Sequence, residues 1–292
     1  MKKRAIWAFV LPLALLAFTT DLSYEEEIKQ WHQKREADLK KEEGWLNLAG
    51  LFWLSEGENT FGGSDKNKIV FPEDHSDATL GKFILKNGTV SVETVAGAQV
   101  FAGDAPVQTL QLFPYTGKPL VLQHKSLRWF VIQRGNQYAI RLRDLESPAL
   151  KEFKGIDTYP IDQTWRIKAK FVPTPGKKIA ITDVTGRTSD QDSPGKLVFS
   201  VNGKEQSLEA TGNLKHLHFV FADQTNKQDT YGGGRFLDAA GPDTDGNTYL
   251  DFNKSTNPPC AFTPYATCPT PPKANRLTVA IPAGEKRYGD HS

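Results

Sequence analysis

The sequence predicts an all-β protein, with antiparallel sheets of many short strands packed as a sandwich or an open barrel and with one N-terminal helix. From residue 45 onward the apolar runs are short and end at Gly or Asn, which is typical of strands. Asn-Gly and Gly-Asn pairs separate several of these runs, as in two-residue hairpins. The 24 Gly and 18 Pro among 292 residues indicate enough turns to connect many strands.

Residues 1–20 have the layout of a secretory signal peptide. Lys2, Lys3 and Arg4 precede an apolar run over residues 5–18, which is shorter than the about 20 residues that a membrane span needs. We therefore expect export to a periplasmic or extracellular location, with membrane attachment only if this segment stays uncleaved. Its loss removes three positive charges and no negative ones, changing the net charge from +2 to −1, so no nucleic-acid partner is expected.

Residues 21–43 are predicted to form a helix. Ser23 and Glu26 have the spacing of a capping box, and Ile28 and Trp31 give a thin apolar stripe among many charges. Gly44 follows as a helix stop. This pattern indicates a surface helix that packs Trp31 against the body of the protein.

The remainder divides into a first β half, residues 44–147, and a second β half, residues 148–292, which are expected to pack on each other. Each half contains short alternating runs joined by hairpin signals. The hairpin turns are expected at Asn87-Gly88, Gly135-Asn136 and Asn202-Gly203.

One predicted strand of the first half carries cations on alternate positions. Tyr138, Ile140 and Leu142 share one face of this strand, and Arg141 and Arg143 share the other. The cationic face is either exposed to solvent or, if the proline-rich part of the second half covers it, buried with its charges paired.

That proline-rich part, residues 251–277, holds both cysteines of the chain. Cys260 and Cys268 are eight positions apart in a chain with a signal peptide, which favours a disulfide, and no CxxC motif points to a metal. Six prolines prevent a regular ladder across this stretch. The second half therefore contains a stiff disulfide loop, which is either a stabilised surface loop or the rim of a pocket.

Three glycines precede Arg235 in the run Thr230–Phe236. Their N–H groups and Arg235 suit an anion, although a tight turn with Arg235 paired to Asp238 or Asp251 fits equally. Amide and aromatic side chains of the proline-rich segment are expected at the same rim. The candidate ligand-binding residues are Arg141, Tyr231, Arg235, Asp251, Asn253, Asn257, Tyr265 and Glu285.

Several long motifs resemble one family. They are TYGGGRFL, DFNKSTNPPCAFTPYATCPTPPKANRL and AGEK, with GWLNLAGLFWLSEGENTFG and RLRDLESPALKEFKGIDTYPID upstream. Over residues 31–288 the chain resembles the domain-of-unknown-function family 1684 (DUF1684). This resemblance implies no activity, because the family has none that can be carried over.

A weaker resemblance covers residues 51–145. The stretch LSEGENTFGGSDKNKIVFPEDHSDATLGKFILKNGTVSVE is similar to the forkhead-associated β-sandwich. The resemblance implies a sandwich but no phosphothreonine binding, because Gly63 and Ser64 stand where that module places its phosphate-clamping arginine after Gly62.

These observations favour an exported, non-catalytic protein that binds a small polar or glycan-like ligand, with no cofactor. One alternative is a carboxylate- or metal-dependent hydrolase, although no G-x-S-x-G or H-E-x-x-H motif occurs. Its candidate residues are Asp223, Asp251, Glu285, His216 and His218. His216 and His218 could join Asp223 in a metal site, but their i, i+2 spacing also fits a solvated sheet face, and no metal ligand is assigned. The other alternative is a structural or interaction protein of the cell envelope.

Overall fold

The computed structural model describes residues 22–289. Helix α1 spans Tyr24–Lys40, and the Ser23 side chain accepts the Glu26 N–H at its start, as predicted from the capping box. The helix buries Ile28 and Leu39 and ends three residues before the predicted boundary. Within residues 22–289 no helix is long and apolar enough to cross a membrane. The predicted signal peptide lies outside the described residues.

The first half contains eleven strands, all short. They are β1 (Leu48–Trp53), β2 (Gly57–Gly62), β3 (Ile69–Val70), β4 (Gly81–Lys86), β5 (Thr89–Thr94), β6 (Phe101–Ala102), β7 (Ala105–Pro106), β8 (Thr109–Phe113), β9 (Leu122–His124), β10 (Leu127–Arg134) and β11 (Gln137–Asp144).

A short helix and nine strands follow in the second half. They are α2 (Pro148–Glu152), β12 (Arg166–Pro173), β13 (Lys178–Thr182), β14 (Thr188–Asp192), β15 (Gly195–Val201), β16 (Lys204–Glu209), β17 (Thr211–Asn213), β18 (His216–Phe221), β19 (Arg235–Ala240) and β20 (Asn247–Asp251). Single turns of 3₁₀ helix lie at Glu73–His75, Gln163–Trp165, Phe252–Lys254, Pro259–Ala261 and Lys273–Asn275.

The first half is a sandwich of two sheets. A six-stranded sheet has the order β1-β11-β10-β9-β6-β7, and a five-stranded sheet has the order β3-β2-β4-β5-β8. Phe61 and Phe83 from the second sheet stack at 4.2 Å, and Phe61 lies edge-on to the buried Trp129 of the first. These aromatic contacts bury the inner faces of both sheets in one core.

The second half has its own core between a four-stranded sheet, β16-β15-β12-β20, and a three-stranded sheet, β17-β18-β19. The separate hairpin β13-β14 stands beside them. Named strand pairs are antiparallel except β2 with β3, and the described residues form no closed barrel. The predicted all-β antiparallel fold with one N-terminal helix is therefore confirmed.

The hairpin turns lie where the sequence predicts them. Asn87 and Gly88 join β4 to β5 with positive φ angles of 50° and 79°, and Asn202 and Gly203 join β15 to β16 with 50° and 75°. Such angles suit Asn and Gly because other side chains rarely adopt them. The Gly135-Asn136 turn likewise sets the register of β10 on β11, with Arg134 opposite Gln137.

A third apolar cluster joins the helix to both halves. Leu39 of α1 and Leu46 of the following turn pack with Ala261 and Phe262 of the proline-rich segment. The Thr263 hydroxyl also donates to the Leu48 carbonyl at the start of β1, at 3.4 Å. The proline-rich segment of the second half therefore lies against the first half.

Candidate functional site

The disulfide loop, residues 260–268, is held at both ends. The sulfur atoms of Cys260 and Cys268 lie at bonding distance, with Cα atoms 6.1 Å apart, in agreement with the predicted disulfide. The Val184 N–H donates to the Cys268 carbonyl at 2.9 Å, and the Thr270 N–H donates to the Thr182 carbonyl at 2.8 Å. The β13-β14 hairpin thus fixes the C-terminal end of the loop through two backbone hydrogen bonds. The prolines in this segment have no backbone N–H to donate.

Beneath this loop lies a hollow of about 200 Å³, here called the junction hollow, because residues of both halves line it. Three of them belong to the first half and six to the second. The lining residues are Trp45, Arg134 and Arg141, with Phe236, Pro259, Ala266, Thr267, Cys268 and Pro269. The walls are mostly apolar, and the charges come from two arginines.

Arg141 is the buried cation of the junction hollow. It is only 7% exposed, and its Nε has no hydrogen-bond partner among residues 22–289. Burial, together with the like charges of Arg134 and Arg143, lowers the pKa of Arg141 to about 10. A buried charge without a counter-ion is costly for the fold, so Arg141 stands out from the other buried ionic groups.

The face that carries Arg141 is covered by the second half, which is one of the two arrangements predicted from the sequence. Ala139 and Ile140, on opposite faces of β11, are both fully buried. The predicted charge pairing is absent at Arg141 within the described residues, whereas Arg143 donates to the Asn47 side chain at 2.8 Å and to the Gly44 carbonyl. Two cations of one strand face therefore have different surroundings.

Next to the junction hollow is a second hollow of about 310 Å³, which shares Arg134, Thr267 and Pro269 with it. Its other walls come from the β10–β11 turn and from β13, β14 and the turn between those two strands, and they are more polar. They are formed by Gly135, Ile181, Asp183, Arg187, Ser189 and Gln191. The exposed Arg134 thus stands between two adjoining spaces.

Arg235 is not at the rim of either hollow. It is fully buried, and its guanidinium donates to the Asp223 carboxylate at 2.7 Å and to the Ile281 carbonyl at 2.9 Å. The expected partners, Asp238 and Asp251, are both wrong, because the chain brings Asp223 from the end of β18 to the guanidinium instead. A solvent anion has no access to Arg235, and the glycines before it make a tight turn in which the Gly234 N–H donates to the Tyr231 carbonyl.

Glu285 and Asn257 form a separate buried cluster with the helix. Arg35 of α1 donates to Glu285 at 3.1 Å and to the Asn257 carbonyl at 3.0 Å, while the Asn257 N–H donates to Glu285 at 2.6 Å. Burial raises the pKa of the Glu285 carboxyl, and the Arg35 guanidinium opposes that shift. This cluster ties α1 to the proline-rich segment.

Asp251 and Asn253 anchor the first turn of α1. The Tyr24 hydroxyl donates to Asp251 at 2.8 Å, and the Asn253 amide donates to the Tyr24 oxygen and to the Asp162 carbonyl, both at 2.9 Å. Burial, followed by the bond to Asp251, raises the pKa of the Tyr24 phenol well above its ordinary value. Both predicted site residues are thus engaged in fixing the helix.

We expect Tyr24→Phe to lower the free energy of unfolding at neutral pH by about 1–2 kcal/mol, since it removes a hydrogen bond to a carboxylate. The deficit should shrink as pH rises above about 10, because the unfolded phenol then ionises while the folded one, with its raised pKa, stays neutral. Urea unfolding of both proteins from about pH 8 to 11 measures this. Tyr249→Phe, which alters a phenol 48% exposed, is the matched control. A pH-independent deficit would contradict the assigned bond.

The two predicted tyrosines are associated with the disulfide loop but do not line the junction hollow. The Tyr231 hydroxyl donates to the Cys260 carbonyl at 3.4 Å, and its ring packs on the third cluster. Tyr265 is 38% exposed. Of the eight predicted ligand-binding residues, Arg141 is the one that lines the junction hollow. A ligand role for the other seven stays a prediction.

The residues proposed for a hydrolase are held by different partners. Asp223, Asp251 and Glu285 each bind a different partner, namely Arg235, Tyr24 and Arg35. His216 and His218 share Asp238 on the outer face of β18 and β19, at 3.3 and 2.7 Å. Among residues 22–289 no three His, Cys, Asp or Glu side chains are grouped so that they could hold a metal ion.

Trp45, Arg134, Phe236 and Thr267 were not predicted from the sequence. A signal existed for Arg134, because the Gly135-Asn136 turn sets it opposite Gln137 and so on the same sheet face as Arg141. No comparable signal exists for Phe236 or Trp45, which reach the hollow only through the packing of the two halves.

Comparison with known proteins shows that the second half is similar to one family. Residues 151–286 match the family described as protein of unknown function (DUF1684). The predicted DUF1684 resemblance is thus confirmed over this range, which includes the disulfide loop. Arg134 and Arg141 lie before it, so the junction hollow combines the DUF1684 match with a part of the chain outside it.

Two solved structures show weaker similarity. An uncharacterized protein from Haloarcula marismortui is 27% identical, covers 48% of this chain and 80% of its own, and has a TM-score of 0.41. A structure of an FHA domain with phosphothreonine-dependent interactions is 16% identical, covers 32% of this chain and 92% of its own, and has a TM-score of 0.22. No curated protein matches the chain.

Proposed function

We propose that this protein binds a small anionic ligand in the junction hollow, with Arg141 as its principal partner. The observation that carries the proposal is a guanidinium that is 7% exposed, has an unpartnered Nε within residues 22–289 and lines a hollow. A ligand anion would supply the missing counter-charge and accept the free N–H groups. Arg134, at the exposed edge of the same hollow, would attract the anion and contact it second.

The sequence predicts a small polar or glycan-like ligand, and the proposal restricts this class to anions. A neutral sugar would leave the Arg141 charge without a counter-ion in an apolar setting. Asn253, whose amide a glycan would need, already donates to Tyr24 and Asp162.

We expect Arg141→Met to separate ligand binding from folding. Methionine keeps the length of the side chain and removes the unpaired charge, so the ligand-free variant should gain about 1–2 kcal/mol in unfolding free energy. Anion affinity should fall about ten- to 100-fold, which corresponds to the loss of a hydrogen bond to a charged group. Denaturant unfolding and isothermal titration with acetate, benzoate, sulfate and inorganic phosphate measure the two effects.

Arg276→Met serves as the matched control, because Arg276 is exposed and does not line either hollow. It should change neither stability nor anion affinity. Destabilisation by Arg141→Met, or binding of all four anions that is unaffected by it, would contradict the proposal.

The proposal includes export to a periplasmic or extracellular compartment. The paired state of Cys260 and Cys268 supports this, because disulfides persist in oxidising compartments. N-terminal sequencing of the protein recovered from a periplasmic or culture fraction tests it, and a start at Met1 in the soluble cytoplasmic fraction would contradict it.

A further inference from the structure

The chemistry of the hollow walls constrains which anion fits, on the basis of the proposed function. Within the junction hollow, the charged groups are Arg141 and the exposed Arg134. Most of the remaining wall consists of Trp45, Phe236, two prolines and the disulfide. Such walls offer surface to an apolar group and few donors to an oxyanion.

The number of donors distinguishes a carboxylate from phosphate or sulfate. One guanidinium presents a planar fork that matches the two oxygens of a carboxylate, and the single charges neutralise each other. A phosphate brings a charge of about −1.5 to −2 at neutral pH and three strong acceptor oxygens. Arg141 alone cannot satisfy these, and the apolar walls would leave the remaining oxygens desolvated without partners.

The aromatic walls add a requirement for an organic body. Trp45 and Phe236 come from different halves and are each partly buried, so they contribute apolar surface inside the hollow. A ligand body placed between them would remove that surface from water. The hollow of about 200 Å³ accommodates a ring or a short branched chain but not a large molecule.

The second hollow indicates where a ligand larger than the junction hollow would extend. Arg134, Thr267 and Pro269 line both spaces, so a substituent that passes Arg134 enters the second hollow of about 310 Å³. Asp183 and Gln191 line that space and offer polar groups. A polar extension is therefore compatible with the apolar body of the ligand.

From these features we infer that the ligand is a small organic carboxylate with an apolar body. Its carboxylate pairs with Arg141, and its body lies between Trp45 and Phe236. This inference rests on the proposed function and names the chemical class of the anion.

Isothermal titration of the oxidised full chain with benzoate, acetate, sulfate and inorganic phosphate tests the inference. Benzoate should bind at least ten-fold more tightly than acetate, because both present the same carboxylate and only benzoate has an apolar ring. It should also bind at least ten-fold more tightly than sulfate or phosphate. Phe236→Ala should narrow the ratio of benzoate to acetate affinity by about five-fold, and thermal unfolding checks that this variant is folded.

The outcomes separate the inference from the proposed function. Sulfate or phosphate binding as tightly as benzoate, with loss of that binding in Arg141→Met, would overturn the carboxylate class and leave an anion site. Equal affinities for benzoate and acetate in the unmodified protein would overturn the apolar body. Absence of Arg141-dependent binding by any of the four anions would overturn both.

Discussion

Replacing Arg235 by Met is expected to cost about 3–5 kcal/mol of unfolding free energy, because it leaves a buried carboxylate without its counter-ion. The Arg235 and Asp223 side chains are both fully buried and meet at 2.7 Å. Arg235 also donates to the carbonyls of Ile281 and Ala283, so its loss leaves those acceptors unsatisfied as well. For a single domain-sized core such a loss is a large fraction of the total stability.

Asp223 accepts further hydrogen bonds, and these prevent its carboxylate from moving into solvent when Arg235 is removed. One carboxylate oxygen accepts the Thr225 N–H at 2.8 Å, the Thr225 hydroxyl at 2.7 Å and the Ile281 N–H at 3.2 Å. Without Arg235 the carboxylate stays fixed among these donors in a buried site. Asp223→Asn should therefore also be costly, since it leaves the Arg235 charge unpaired.

A double-mutant cycle measures the coupling free energy between Arg235 and Asp223. Arg235→Met with Asp223→Asn should cost less than the sum of the single variants by at least about 1.5 kcal/mol, because the double variant contains no unpaired charge. Denaturant unfolding at neutral pH gives the values. Arg287→Met, at an exposed arginine, should change the unfolding free energy by less than about 0.5 kcal/mol. Additive single costs, or a cost of Arg235→Met below about 1 kcal/mol, would show that the pair is not a stabilising unit.

Removing the disulfide is expected to have the second largest effect. Cys260 and Cys268 close a loop with a sequence separation of 8, and the loop-closure estimate gives about 2.5 kcal/mol for a ring of that size. Ligand binding should be weakened by more than the loss of unfolding free energy alone would explain. Pro259, Ala266 and Cys268 all line the junction hollow, so a freed loop would no longer hold its wall in place.

The variant Cys260→Ala/Cys268→Ala should therefore unfold at lower denaturant concentration, by about 2.5 kcal/mol, and bind benzoate at least ten-fold more weakly. Reductant provides the matched control. It should lower the stability and affinity of the unmodified protein to those of the double variant, and should not affect the double variant. Unchanged affinity after reduction would show that the loop keeps its position without the disulfide, through its hydrogen bonds and its packing in the third cluster.

Much of the fold was predictable because it depends on local patterns. Alternating runs define strands through the two-residue period of the backbone, and Asn-Gly pairs define hairpins through their positive φ angles. The two cysteines had no other partner in the described chain, so their pairing followed from their number. Arg141 entered the candidate site from its place on an alternating strand.

The sequence did not identify the ion-pair partner of Arg235. Asp223 precedes it by 12 positions and reaches it through the packing of β18, β19 and the segment around Ile281, whereas Asp238 and Asp251 do not pair with it. Ion-pair partners are determined by three-dimensional proximity, for which a single sequence carries no direct signal. The same limit explains why Arg35 and Tyr24 of α1 were not expected as partners of Glu285 and Asp251.

Local residue order thus accounts for the strands, the turns, the capped helix and the stiffness of residues 251–277, since each depends on backbone geometry over a few positions. Packing of the two halves determines the burial and the ion pairing of the arginines. It covers the outer face of β11, encloses Arg141 without a counter-charge and places Arg235 in an ion pair. The physical reason is that burial and Coulomb interactions depend on distances through space, and those distances exist only once the second half lies on the first.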